Sequence, residues 1–334
     1  MKTLKEFNFQ RKKVLVRCDF NIPQDNEGNI LDDYKIKQTL PTINYLLNQG
    51  AGLVLISHLG RPDGKVIESL KLKPVAERLS QLLGRRVEIS NKNIKPGEMI
   101  LLENIQFNPG EKNNDPAFAK TLSDLGDIFV MEAFGQAHRA FASISGINNF
   151  LPSAAGFLME KEIQVLKCLL ENPIKPLVAV IGGKKVEDKS RVIDKISVLA
   201  DFVLISGLIK KEINEKKILL KYPQKLISPS ENLGAPDIDE KTINAFKEII
   251  KGAKTVFWSG PFGKIEEKEF QKGTEEIIKA IIKSRAFSVA GGGETVEFIN
   301  KLGLIDKFNH VSTGGGAMLA FLAGEKLPGI EALK

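Results

Sequence analysis

Four short stretches in the first half of the chain place cations and hydrogen-bond donors just beyond apolar runs: Arg17-Cys18-Asp19-Phe20-Asn21, Ser57-His58-Leu59-Gly60-Arg61, Glu103-Asn104 and His138-Arg139. Arg and His donate N–H to oxyanions, and Arg can do so through a bidentate fork. His58, Arg61 and Arg139, with Asn21 as a neutral donor, therefore describe an anion-binding floor for a carboxylate or phosphate. The second half offers glycine at the equivalent places: Ile181-Gly182-Gly183-Lys184-Lys185, Ser206-Gly207, Ser259-Gly260-Pro261, Gly291-Gly292-Gly293-Glu294-Thr295 and Thr313-Gly314-Gly315-Gly316. Glycine lets the backbone come close to a phosphate. The free N–H groups of a following helix supply donors and a dipole worth ~0.3–1 kcal/mol per charge. Five such loops in one half point to a nucleotide. Phosphoryl transfer needs this combination: two anionic substrates in line, cations over the moving group and a metal on the nucleotide.

Other chemistries lack their residues. There is no G-x-x-x-x-G-K-[ST], and Val296 and Leu319 stand where the last glycine of G-x-G-x-x-G would fall, which also argues against a dehydrogenase. H-R-D, D-F-G and G-x-S-x-G are absent, as is any Cys/His spacing that suits zinc.

These loops need strands to carry them. Apolar runs at 14–16, 53–56, 99–102, 128–130, 177–181, 202–205, 255–258, 287–290 and 310–311 are mostly continuous, not alternating, as expected of strands covered on both faces. Helical spacing recurs at 42–48, 75–83, 117–125, 162–170, 243–250 and 275–283. The βαβα order predicts an α/β fold of two lobes, each a doubly wound parallel sheet with helices on both faces. Asn148-Asn149 and Leu151-Pro152 interrupt the pattern, so the lobes are expected at 1–152 and 153–316, the second opening on a connecting hinge helix.

Length and charge agree with two soluble lobes. The chain has 334 residues with a formal charge of +7, an apolar fraction of 43% and a charged fraction of 27%, which leaves no room for a disordered or fibrous class. The positive excess is spread over both halves. Its densest run, Lys210-Lys211 and Lys216-Lys217, is broken by Glu212 and Glu215, so a nucleic-acid partner is not expected. The longest uncharged stretch, 140–159, contains Asn148, Asn149 and Pro152, and no membrane partner is expected either. Two cysteines, Cys18 and Cys168, make no disulfide framework, and the start has no apolar leader; the expected location is the cytoplasm.

Beyond this point the residues become specific. The chain resembles the phosphoglycerate kinase family in VRCDFNIP (16–23), SHLGRPDGK (57–65), LLEN-x-x-F-x-PGE (101–111), EAFGQAHRAFAS (132–143), GFLMEKE (156–162), VIGGKKVEDK (180–189), WSGPFG (258–263), GGGET (291–295), VSTGGGA (311–317) and LPGI (327–330). The resemblance implies reversible phosphoryl transfer from 1,3-bisphosphoglycerate to ADP, giving 3-phosphoglycerate and ATP, with Mg²⁺ as cofactor and a monomer acting on small molecules. It places the phosphoglycerate site on Asp19, Phe20, Asn21, Lys35, His58, Leu59, Gly60, Arg61, Gln106 and Arg139. The phosphoryl group would meet Lys185, Lys35, Gly315 and Gly316. The nucleotide would meet Gly183, Lys185, Lys189, Gly207, Ser259, Glu266 (ribose), Gly292, Gly293, Glu294 and Thr295, with Glu294 as the metal ligand. A C-terminal tail, 317–334, would return to the first lobe.

The chain departs from the family pattern at several of these positions. Lys35 stands where the family has an arginine, and loses the bidentate fork; Gln106 replaces a second arginine; Glu294 replaces an aspartate; Ser259 replaces an asparagine; Lys184 replaces a small residue. Between Gly207 and Thr255 a long glycine motif and several helices are missing, so shallower base recognition is expected. These changes motivate an alternative, a non-catalytic or weakly active relative that binds an anion or nucleotide as a regulatory module.

Overall fold

The computed structural model describes residues 1–183 and 187–334. The chain divides into two compact units, 1–163 with 326–334, and 164–325.

The first unit holds six strands: β1 (Lys13–Arg17), β2 (Gly52–Ile56), β3 (Glu88–Ile89), β4 (Met99–Leu101), β5 (Ile128–Met131) and β6 (Ser153–Ala155). They form one sheet in the order β3-β4-β2-β1-β5-β6, parallel throughout. The second unit repeats the plan with β7 (Leu177–Ile181), β8 (Phe202–Ile205), β9 (Leu226–Ile227), β10 (Thr255–Ser259), β11 (Phe287–Gly291) and β12 (His310–Val311), in the order β12-β11-β10-β7-β8-β9, again parallel. Helices cover these sheets, which is why every residue of β2, β4, β5, β7 and β10 is buried and the strands read as unbroken apolar runs. The two-lobed α/β expectation holds. Among the described residues no helix is long and apolar enough to cross a membrane.

Three strands escape the sequence pattern: β3, β6 and β9. All are edge strands of two or three residues. A run that short leaves no periodicity to detect, and an edge strand has only one neighbour to bury against. One helix is also longer than its spacing suggests, running over Tyr34–Asn48 instead of 42–48, with Pro41 inside it. Pro41 lacks an N–H and so costs the helix one bond, but it does not end the helix. The longer N-terminal end carries Lys35.

The boundaries also differ from 152 and 317. The helix Phe157–Glu171 starts within the first unit, where Phe157 N donates to Thr42 Oγ1 at 2.9 Å and Leu158 N and Met159 N donate to the Glu132 carboxylate at 3.2 and 3.3 Å. The division therefore falls inside that helix, at 163/164. Likewise the helix Gly315–Leu322 packs on the helix Glu187–Leu199 of the second unit, so the return begins at Lys326. That return is anchored by Gly329 N on the Ala137 carbonyl (2.9 Å) and by Asn148 Nδ2 on the Ala332 carbonyl (3.1 Å).

Candidate active site

In parallel sheets ligands bind beyond the carboxyl ends of the strands. In the first unit Arg17, Ile56 and Met131 end β1, β2 and β5 side by side, with Leu101 of β4 beside Leu55. The four polar segments singled out above therefore leave one edge together.

Each segment is tied to the next. The Ser57 hydroxyl accepts from Phe20 N (2.8 Å) and donates to the Cys18 carbonyl (3.0 Å), joining the loops after β1 and β2. Asn21 Oδ1 accepts from Gly60 N at 2.9 Å, and Asn104 Nδ2 donates to the carbonyls of Leu59 (2.8 Å) and Leu70 (2.9 Å). The 57–62 loop is thus held from both sides. Phe20 and Leu59 are buried, so they can offer a ligand only backbone. Glu103 accepts from Leu72 N and Asn104 N, a bracing role.

Lys35 Nζ lies 3.0 Å from Asp19 Oδ2. Burial works against ionisation of Asp19, yet Lys35 and its other cationic neighbours hold its carboxyl below the usual range. His58 is 2% exposed. Burial first, and the Arg17 cation second, push it down to about 3, so it is neutral at physiological pH. Arg61 and Arg139 are exposed, and among the described residues no carboxylate pairs with either. Gln106 is buried; its N–H donates to Asn104 Oδ1, while its Oε1 has no partner among the described residues.

Beneath these segments lie residues that the sequence did not place among the binding residues. Arg17 is fully buried; its Nε donates to Ser143 Oγ at 2.7 Å, Nη1 donates to the Cys18 carbonyl, and Nη2 lies 3.4 Å from His58 Nδ1. Ser143 in turn donates to buried Glu111 through Oγ (2.6 Å) and N (2.9 Å). Burial raises the Glu111 carboxyl, with Arg17 and Ser143 opposing. The available signal was a charged residue, Arg17, inside an otherwise apolar run.

In the second unit the glycines let two strand ends touch. Gly182 N donates to the Ser259 carbonyl (3.0 Å) and Gly183 N to the Pro261 carbonyl (2.7 Å). A Cβ on Gly182 would run into the Pro261 and Gly260 carbonyls. Gly260 and Gly292 adopt φ of +91° and +106°, where glycine alone is at ease. Thr295 Oγ1 accepts from Gly260 N at 2.8 Å, and buried Ser259 fixes the same corner through its backbone.

Two helices start at this edge with glycine at the cap. Gly293–Lys301 follows Gly292 and Gly315–Leu322 follows Gly314, neither with a side-chain cap bond. Their first N–H groups are open to an anion, and Gly293, Glu294 and Gly316 are exposed there. Gly207 opens the helix Gly207–Glu215 behind β8, capped by Ser206 and close against Leu233. Lys189 Nζ donates to the Gly182 carbonyl. Lys184 and Lys185 lie outside the described residues.

A cleft of about 500 Å³ opens here, lined by Gly183, Leu208, Ala235, Pro236, Phe262, Gly263, Glu266 and Glu294. It joins expected residues Gly183, Glu266 and Glu294 to apolar ones the sequence did not single out. A second cleft, sharing Leu208, Ala235 and Phe262, continues past Asn232 and Asp237. The 232–237 loop belongs to the shortened stretch. Its Gly-Ala-Pro turn is a punctuation signal that shows a loop but not what the loop encloses. Among the described residues no group of three or more His, Cys, Asp or Glu side chains is placed to hold a metal.

The family model described as phosphoglycerate kinase matches residues 4–217 and 214–325. A phosphoglycerate kinase of Moorella thermoacetica is 40% identical over 387 residues, covering 99% of this chain and 98% of that protein. One of Borreliella afzelii is 42% identical over 391 residues, covering 100% and 99%. Among solved structures, phosphoglycerate kinase from Pyrococcus horikoshii matches with a TM-score of 0.88 at 34% identity, covering 100% of this chain and 98% of that one, and the Coxiella burnetii structure with 0.85 at 34%, covering 99% and 98%. The aligned spans exceed the 334 residues of this chain, and the family match breaks at 214–217, within the stretch the sequence marks as shortened.

Proposed function

The chain belongs to the phosphoglycerate kinase family, and we propose that it carries out the family reaction with phosphoglycerate on the carboxyl edge of the first unit and nucleotide on that of the second. The enzyme is a phosphotransferase with a carboxyl group as acceptor. In the direction of ATP formation a β-phosphate oxygen of ADP attacks the phosphorus of the acyl phosphate. The bond between that phosphorus and the carboxyl oxygen breaks, and the carboxylate leaves as 3-phosphoglycerate. The attacking oxygen is already anionic and the leaving group needs no proton, so no general base is required.

The residues divide the work by chemistry. Arg61 and Arg139, exposed and without carboxylate partners among the described residues, would supply charge to the anionic substrate, while Asn21 and His58 would supply neutral donors. Lys35 stands at the same edge, paired with Asp19, and its ammonium would neutralise charge on the moving group together with Lys185. The open N-termini at Gly293 and Gly315–Gly316 would take the nucleotide phosphates, Lys189 would add a cation, and the Leu208–Phe262 cleft would take base and ribose, with Glu266 at the ribose.

The donor set fits Mg²⁺. Two exposed carboxylates line the cleft, Glu266 and Glu294; with Glu266 assigned to the ribose, Glu294 is left for a hard cation that keeps several waters and takes its other oxygens from phosphates. Mg²⁺ bound there would offset charge on the phosphate oxygens. Glu294 would hold it directly or through water, and Thr295, bonded to Gly260 N, would keep the turn in place. We further read the protein as a monomer of the cytoplasm with no nucleic-acid or membrane partner.

The observation that carries the proposal is the joint exit of the 18–23, 57–62, 102–106 and 132–139 segments from one sheet edge. A coupled assay of the full chain with 3-phosphoglycerate, saturating Mg²⁺ and either ATP or GTP tests it. Turnover with either nucleotide is expected. Folded protein with no product above background would overturn it in favour of the non-catalytic alternative.

A further inference from the structure

The buried group beneath the anion floor has no role in the transfer described so far. Arg17 is 0% exposed. A guanidinium has five N–H donors, accepts nothing, and keeps its proton in proteins. Two of its nitrogens are spent on Ser143 Oγ and the Cys18 carbonyl. The third, Nη2, lies 3.4 Å from His58 Nδ1. Only a lone pair can face that N–H, so Nδ1 must be the bare nitrogen and the ring proton must sit on Nε2. The other tautomer, or the imidazolium, would set N–H against N–H in a site that is wholly buried.

Arg17 is itself held. Ser143 accepts from Arg17 Nε while donating to Glu111, so donation runs outward from Arg17 on both sides, through Ser143 to Glu111 and directly to His58. Nε2 of His58 is the ring nitrogen that Arg17 does not reach.

We propose that Arg17 is a positioning residue for this enzyme: it locks His58 in the neutral tautomer with hydrogen on Nε2, so that His58 meets the substrate anion as a fixed donor and not as a cation. The identity of that anion rests on the phosphoglycerate assignment above. The groups that face His58 come from each neighbouring segment: Arg17 at the end of β1, Asp19 just beyond it, Lys35 on the helix Tyr34–Asn48 and Lys112 on the short helix Pro109–Lys112. Three of these four are cations, and only Asp19 favours a charged ring. The anion's affinity then comes from Arg61, Arg139 and Lys35, and its orientation from a donor whose state does not change with pH.

The chain has three histidines, which makes a direct observation practical. Full-length protein labelled with ¹⁵N at the imidazole nitrogens, with His58→Gln for assignment, is compared at pH 5.5 and 7.5 without substrate. The expected result is a protonated Nε2 and a bare Nδ1 for His58 at both values. A protonated Nδ1, or titration with a midpoint near the ordinary imidazole value of about 6.5, overturns the proposal.

Arg17→Met adds a readout that loss of packing alone would not move. With the cation gone, the His58 midpoint rises, although burial, the larger cause, still holds it below 6.5, and KM for 3-phosphoglycerate gains a pH dependence at the acid end, falling about 3- to 10-fold as the ring becomes cationic. In the parent chain that KM shows no such step. Arg17→Lys, which keeps a donor cation, restores the parent profile. A KM profile unchanged by Arg17→Met overturns the proposal. If Arg17→Met does not fold, the ring-nitrogen measurement on the parent chain still decides. A correct tautomer in a chain without turnover would sink the substrate assignment and leave the lock standing.

Discussion

Lys35 Nζ stands 3.0 Å from Asp19 Oδ2, an ion pair between the first turn of a helix and the loop that leaves β1. Asp19 is 4% exposed and Lys35 is the more open partner. The pair holds the ammonium at the sheet edge where the substrate phosphoryl group is assigned. A cation over the moving group is worth about 10³-fold or more in phosphoryl transfer. Lys35→Met is therefore expected to lower kcat by that order, whereas Lys35→Arg, which restores a planar fork, retains activity. Steady-state kinetics on both variants checks this, and a Lys35→Met enzyme within a few-fold of the parent would remove Lys35 from the transfer step.

Arg61 and Arg139 differ from Lys35 in having no carboxylate partner among the described residues. Replacing either by alanine leaves no buried charge behind, so stability should stay within about 0.5 kcal/mol of the parent. One charge-assisted hydrogen bond is worth about 1.5–3 kcal/mol. Arg61→Ala should then raise KM for 3-phosphoglycerate about 10- to 100-fold and leave KM for the nucleotide unchanged. An equal change in both constants would contradict the division of substrates between the two sheet edges.

Two glycines of the second unit should respond in opposite ways. A methyl group on Gly182 would meet the carbonyls of Gly260 and Pro261, both backbone, which cannot rotate aside. Gly182→Ala is expected to lower stability by about 1–3 kcal/mol. A methyl group on Gly293, in the first turn of a helix, would meet nothing within 4 Å. Gly293→Ala should leave thermal stability level or raise it by about 0.4–1 kcal/mol, yet raise KM for the nucleotide, because the methyl stands where a phosphate must approach. A melting curve and a nucleotide titration on each variant separate the effects; unchanged nucleotide KM in Gly293→Ala would place the phosphates elsewhere.

The contrast between these glycines shows what the sequence could reveal. The interior strands were legible because burial on both faces demands uninterrupted apolar runs, as in Leu177–Ile181. The edge strands β3, β6 and β9 were not, since two or three residues carry no period. The polar edge of the first sheet was legible from residue type at the strand ends. What lay beneath it was not: Arg17 resembles a surface residue until the fold brings Ser143, more than a hundred positions away, against its Nε. The Leu208, Ala235 and Phe262 walls were equally hidden, because apolar residues in a loop look alike whether they line a cleft or fill a core.

Two buried groups should give the stability of the protein opposing pH dependences. His58 is held down to about 3 by burial and by Arg17. Unfolding frees it to take up a proton below about 6.5. Between those values the unfolded chain binds more protons, so this group's contribution is present above pH 6.5 and is lost as pH falls. Glu132 is the reverse case. Burial pushes its carboxyl up to about 8, against the opposing bonds from Thr42, Leu158 N and Met159 N. The folded chain keeps a proton that the unfolded chain releases near the ordinary carboxyl value, so this contribution is present below about 4.5 and is lost as pH rises towards 8. Denaturant unfolding at pH 5, 6, 7 and 8 resolves the two. Relative to the parent, His58→Gln should lose a component of stability that rises with pH between 5 and 6.5 and is level above that. Glu132→Gln should lose one that falls with pH, with its effect extending to pH 8. Parallel pH profiles for all three proteins would show that neither group changes protonation on unfolding.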